Sequence, residues 1–197
     1  RRGGFSSGLY KSLNCGKGSK DKRINISKNL KYVSQKMYVK KRRLILMYQT
    51  HSNKVIEINE SNLNKNINSD AMITKYKKVA LAVLTADCVP ILIYDKRNEI
   101  IGCIHAGWKG ALSGIIEKTI SKIKKKNTKS DIFASVGPCI STESYEVDLN
   151  FYRKFLAKAK RNKKYFILKK KNKKLFNLRK YVNDKLLELN VKVDHIN

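Results

Sequence analysis

The sequence predicts an α+β domain of layered sheets and helices, and three observations carry that reading. Apolar runs at residues 44–48, 79–84, 90–94, 99–104 and 131–136 are too short for helices and rich in β-branched or aliphatic side chains, as strands are. A longer stretch, residues 108–126, sets Trp108, Ala111, Leu112, Ile115, Ile116, Ile120 and Ile123 at i, i+3, i+4 spacing with lysines opposite, as an amphipathic helix does. Strand-like and helix-like segments then succeed one another without strict alternation, which favours α+β layers over a doubly wound sheet. With 197 residues, no internal repeat and no linker, residues 1–197 are read as one domain. A domain of that size buries about two thirds of its unfolded surface and needs no disulfides.

Residues 1–16 (RRGGFSSGLYKSLNCG) are Gly- and Ser-rich and read as a loop with tight turns, matching neither a Walker loop nor a dinucleotide fingerprint. Ser27 is placed as the cap of a helix with Leu30, Val33 and Met37 on its buried face. Residues 44–48 form a strand ending in Gln49-Thr50-His51. Residues 55–58 form another, and the Asn-rich span 59–69 is a surface loop. The centre of the chain is residues 79–110. Its runs 79–84, 90–94 and 99–104 predict three neighbouring strands, apolar throughout and therefore covered on both faces. The 108–126 helix is expected to lie across them on Ile115 and Ile116.

Downstream, strand 131–136 closes on Gly137-Pro138-Cys139, and Asp148 caps a helix carrying Phe151, Tyr152, Phe155 and Leu156. Residues 165–168 form a strand, and Asn177 caps a helix carrying Leu178, Tyr181, Val182, Leu186 and Leu189. The chain opens at Arg1 without a methionine and stops on an apolar run, 191–196, so the expectation is of a domain whose C-terminal segment is missing.

The net charge of +29 invites a nucleic-acid reading, but its composition argues otherwise. Lysine outnumbers arginine 35 to 9, and asparagine reaches 18, a drift spread over the whole chain. The lysine runs at 124–126, 169–171 and 173–174 fall at helix ends or turns, and arginine, the usual reader of base edges, is scarce. The charge reads as a solvated surface that attracts anionic ligands, with no specific nucleic-acid partner. No signal peptide or membrane-length apolar run is visible, and the four cysteines show no CxxC pair. A reducing, cytoplasmic setting is expected, with no membrane partner.

Chemistry is concentrated at three points. Cys88 follows Asp87 in the turn between two apolar runs, where a carboxylate and a strand end argue against a merely buried thiol. His105 ends the 99–104 run just before Ala-Gly-Trp, where a strand becomes a helix. His51 carries little information alone. One Cys and two His from separate strand ends make a three-ligand set that leaves a fourth zinc position open. The same trio also reads as a Cys–His nucleophilic pair with an accessory His51. From the residues alone both readings stand.

The order GGFSSGLYKSLN, QTHSNKV, SDAMIT, LTADCVPILIYD, GCIHAGWKGALSGI and VGPCISTESYEV resembles the bacterial laccase-domain family, also called multicopper polyphenol oxidase-like and read more recently as purine nucleoside phosphorylases. The likeness runs through about residues 1–150, and TADC with HAGW is its most specific part. It implies an α/β/β/α sandwich with mixed sheets and a zinc ion, or alternatively copper, on His51, Cys88 and His105. It also implies phosphorolysis of adenosine, inosine, guanosine and methylthioadenosine, with some adenosine deamination. On this reading Cys88, His51, His105 and Asp87 are catalytic, and Arg2, Gly4, Asn14, Gln49 and Lys109 contact nucleoside or phosphate. Family members continue past this C-terminus into a segment that contributes to the purine pocket. True laccase chemistry is disfavoured, because three histidines cannot fill a trinuclear copper cluster and a blue site. A metal-free Cys–His hydrolase or deamidase is the remaining rival enzyme. Oligomeric state is not legible.

Overall fold

Side-chain alternation along the strands sorts the chain into layers. In the computed structural model, which describes residues 3–63, 65–125 and 129–195, β4 (Ala71–Thr74) sends Ala71 and Ile73 to one side and Met72 to the other. Likewise β7 (Ile100–Ala106) opposes Ile104 to Cys103. Both belong to a six-stranded sheet in the order β12 (Lys192–His195), β8 (Ile132–Val136), β6 (Val89–Asp95), β7, β4 and β2 (Val55–Glu57). The outermost pairs are parallel, and the pairings between them are antiparallel.

One face of this sheet is covered by α3 (Ile115–Lys124) and α5 (Leu178–Glu188), through Ile115, Ile116, Ile120, Tyr181 and Leu186. The other meets a parallel three-stranded sheet ordered β3 (Ile67–Asn68), β1 (Leu44–Tyr48), β5 (Ala80–Ala82), where Ile45 and Met47 pack with Met72 and Cys103. Leu44 and Leu46 of β1 face outward to Ile26 and Leu30 of α1 (Arg23–Lys36). The layers run helix, sheet, sheet, helix, which bears out the α+β sandwich with mixed sheets. A third, antiparallel sheet, β10 (Phe166–Lys170), β11 (Lys173–Phe176) and β9 (Glu146–Asp148), closes on α4 (Leu149–Lys158) through Phe151, Phe155, Phe166 and Phe176.

Runs 90–94 and 99–104 are paired as expected, from Val89 opposite Ala106 to Asp95 opposite Ile100. Run 79–84 is not their neighbour: β5 pairs with β1 in the smaller sheet. Gln49, just past β1, explains this by donating to the Leu84 carbonyl at 2.7 Å and accepting from its N–H at 2.9 Å. That double contact holds the run beside β1 and sends residues 85–88 across to the larger sheet. Nor is β6 covered on both faces. Leu92 is 50% and Tyr94 45% exposed, because the smaller sheet packs on Met72 and Cys103 and stops short of them.

The stretch expected as one helix is two, α2 (Trp108–Leu112) and α3, parted at Gly114 with φ +90°, a conformation side chains avoid. The apolar spacing continues through the break, which is why periodicity alone does not reveal it. Ile115 and Ile116 are fully buried as expected. The first helix starts at Arg23, so Ser27 lies inside it, and Met37 sits past its end in solvent. Asp148 and Asn177 do cap α4 and α5, accepting from the Phe151 and Lys180 N–H groups at 2.7 and 2.8 Å. The expected helix end at 126 and strand end at 196 lie outside the described residues. Among the described residues, no helix is long and apolar enough to cross a membrane.

Candidate metal centre

Three segments deliver one donor each to a common point. His51 follows β1, Cys88 immediately precedes β6, and His105 is the penultimate residue of β7. Their ligand atoms all lie within 4.8 Å of one another. The Cys88 Sγ stands 3.7 Å from His51 Nε2, and the two imidazoles meet edge-on with centroids 4.8 Å apart. Two donors on one tetrahedral ion stand about 3.5 Å apart. The sulfur–nitrogen pair already has that separation, so this His-Cys-His group could hold a metal ion.

A buried carboxylate organises the set. Asp70, at the entry to β4, has no solvent exposure, and its Oδ1 lies 2.8 Å from His105 Nδ1. The same carboxylate accepts from the backbone N–H groups of Thr50, His51 and Ser52 at 3.2, 3.0 and 2.7 Å, and from the Ser52 hydroxyl at 2.7 Å. These bonds hold His51 at φ +58°, where a non-glycine residue needs such support. Burial alone would raise the Asp70 pKa, but the hydrogen bonds from Ser52, His105 and Thr50 outweigh it and hold the group below the ordinary carboxylate range.

His105 is displaced the other way. Burial lowers its pKa, overriding the Asp70 bond and charge, so the ring is neutral and able to ligate. Burial raises the Cys88 pKa, and the charges of Asp87, Asp70 and Cys139 add to it. Without a cation the sulfur is therefore a thiol, poorly prepared as a nucleophile.

The glycines of the HAGWKG stretch are steric necessities. A Cβ on Gly107 would stand 2.7 Å from His51 Cδ2 and 3.0 Å from the Cys88 sulfur. One on Gly110 would stand 2.9 Å from the Ser52 carbonyl. Gly4 is equally constrained, since its Cβ would overlap the Ser12 carbonyl at 2.1 Å.

Asp87 is exposed beside Cys88, and its carbonyl accepts from Ile140 N at 3.0 Å, which brings Cys139 to the site's edge. Lys109, in the first turn of α2, holds its ammonium 5.6 Å from the Trp108 ring centre. Gln49 has both ends of its amide on Leu84. Asn14 bonds Ser19, Asp21 and the Gly16 N–H, shaping the first loop. Arg2 lies outside the described residues.

A family model described as multi-copper polyphenol oxidoreductase laccase matches residues 1–197. The chain belongs to this family. A curated relative from Rickettsia conorii named purine nucleoside phosphorylase is 40% identical over 130 residues, covering 66% of this chain and 53% of the relative. Another, from Bacillus subtilis and named purine nucleoside phosphorylase YlmD, is 32% identical over 158 residues, covering 75% and 57%. The chain thus spans about half the length of these curated relatives. A solved structure from Neisseria meningitidis, 28% identical, superposes with a TM-score of 0.88 over 98% of this chain and 78% of that one. Bacillus licheniformis YfiH, 23% identical with a TM-score of 0.92 over 99% and 78%, shares the fold. In this laccase-domain chain, Asp70 and Gly107 are parts of the site that the sequence does not reveal. Each sits in a stretch that carried the resemblance, SDAMIT and HAGW, but neither residue type signals its role without the neighbours that folding brings.

Proposed function

We propose that this laccase-domain chain belongs to a cytoplasmic, zinc-dependent purine nucleoside phosphorylase. It would convert adenosine, inosine, guanosine and methylthioadenosine with phosphate into free base and ribose-1-phosphate, and deaminate adenosine as a second activity. The observation that carries this reading is the convergence of His51, Cys88 and His105 with one ligand position open. The names of the curated relatives supply the reaction. Copper is the alternative metal, since two imidazoles and a thiolate suit both ions.

In phosphorolysis a phosphate oxygen forms a bond to ribose C1′ while the C1′–N9 bond breaks and its electron pair leaves with the purine. Lys109 is available to hold the phosphate through charge. Asp87, exposed beside Cys88, is the candidate proton carrier. Asn14 and Gln49 stay the candidates for nucleoside contact, although their amides are engaged with Ser19 and Asp21 and with Leu84. His51, Cys88 and His105 would hold a zinc ion, which would supply Lewis acidity at the site. Neutral His105 is already in its ligating form.

The metal-free Cys–His hydrolase is the second reading, and the raised pKa of the Cys88 thiol counts against it. The deciding test is metal analysis of the purified protein, followed by incubation with adenosine and phosphate and chromatography of the products. Adenine with ribose-1-phosphate is the expected outcome. Inosine alone would reduce the reading to a deaminase, and no turnover by zinc-loaded protein would reject it.

A further inference from the structure

A histidine ligand must present one particular nitrogen, and nothing in the ring itself decides which nitrogen carries the proton. At this site that decision falls to one buried group. The Asp70 carboxylate has only acceptors to offer, so a 2.8 Å contact with His105 Nδ1 requires the proton on Nδ1 and the lone pair on Nε2. The opposite oxygen, Oδ2, accepts from Thr50 N, Ser52 N and the Ser52 hydroxyl, while Oδ1 also accepts from His51 N. One side chain therefore sets the tautomer of one histidine and the backbone of the other. The Asp70 backbone adds two ties, its carbonyl accepting from His105 N at 2.8 Å and its N–H donating to Lys54 O at 3.1 Å.

We infer that Asp70 is the positioning residue of this centre, fixing His105 as its Nδ1–H tautomer and holding His51 in its left-handed conformation so that both rings face Cys88. The inference rests on the reading of His51, Cys88 and His105 as a metal centre. Asp70 lies behind the two histidines and acts through them, as carboxylates behind metal-bound histidines do.

The variant Asp70→Asn keeps the shape and removes one acceptor. Its amide nitrogen takes the Oδ1 position, because fewer donors point there than at Oδ2. His105 Nδ1 must then accept, and the proton moves to Nε2, where it blocks ligation. The experiment is nitrogen-15 NMR of the histidine rings in metal-free protein at neutral pH, paired with zinc affinity measured against a competing chelator. Wild type is expected to show His105 protonated on Nδ1. Asp70→Asn is expected to show it protonated on Nε2, with zinc affinity lowered about 10- to 100-fold and cooperative thermal unfolding retained.

A wild-type His105 protonated on Nε2 overturns the inference, and needs no variant to do so. An Asp70→Asn protein with the wild-type tautomer and affinity within twofold overturns it as well. If wild type binds no zinc, the metal-centre reading fails instead, and the tautomer still decides what Asp70 does.

Discussion

At the scale of single residues, the site is held by exclusions as much as by contacts. Gly107 has φ −72° and ψ 161°, a backbone any residue adopts, so its lack of a side chain answers the His51 ring and Cys88 sulfur and not the chain's path. Gly107→Ala is therefore expected to leave the fold intact and to lower zinc affinity about tenfold or more by pushing two ligands apart. Unchanged affinity by chelator competition would show that the ligands have more freedom than the contacts indicate. Cys88 separates the two enzymatic readings. A thiolate ligand and a thiolate nucleophile are both lost in Cys88→Ala, whereas Cys88→Asp offers a carboxylate that ligates zinc but cannot replace sulfur in covalent attack. The expected outcome is residual zinc and reduced turnover in Cys88→Asp, and neither in Cys88→Ala. A folded, zinc-loaded Cys88→Asp with no turnover, together with a covalent adduct trapped on wild-type Cys88, would favour the hydrolase.

At the scale of elements, what the sequence made legible was whatever depends on near neighbours in the chain. The caps at Asp148 and Asn177 need only a residue three positions on, and both are present. Asp148→Ala should destabilise the protein by about 1 kcal/mol in chemical denaturation, and a change near zero would mean that α4 is held by its aromatic cluster alone. The buried face of α3 was readable from spacing. Ile116→Ala, at a fully buried position, should cost about 2–5 kcal/mol. Other features depend on distant partners and were not legible. The partner of β5 is decided by Gln49 gripping Leu84, 35 residues away. The open side of β6 depends on where the smaller sheet ends, whereas the α2–α3 break is local and was hidden because one glycine sits inside an unbroken apolar pattern. The candidate metal site was legible only in part, because its donors are far apart in the chain and the residues alone left a metal set and a Cys–His pair both standing. Its three donors stand at strand ends, and their residue types announce themselves. Asp70 does not, because an aspartate before an apolar strand looks like any turn residue until His105 is folded against it.

At the scale of the molecule, a net charge of +29 leaves few carboxylates to share among many cations. Glu146 bridges Lys169 and Lys173, Asp184 bridges Lys164 and Lys180, and Glu188 meets Arg161 and Lys185. Exposed pairs of this kind contribute little individually, so their loss on acidification is felt chiefly as rising self-repulsion. Asp95 is different. It is fully buried at the end of β6, accepts from Arg97 N, Asn98 N and Asp131 N at 3.1, 3.3 and 3.1 Å, and ties that strand to the start of β8. Burial alone would raise its pKa, yet the bonds from Asn98, Asp131 and Ser130 outweigh it and the pKa is lowered. A carboxylate whose folded pKa lies below its unfolded value stabilises the fold above the unfolded value, about 4, and that contribution is lost as pH falls through the folded one. Stability should therefore be steady near neutrality and fall below about pH 4. Two causes act together there, and two manipulations separate them. Added salt screens the general repulsion and should raise the acid-side unfolding midpoint. Asp95→Asn should be less stable than wild type at pH 7 and lose less on acidification, because its acceptor no longer titrates. Parallel pH profiles for the two proteins, measured by thermal unfolding at high salt, would show that Asp95 has no special part in acid sensitivity.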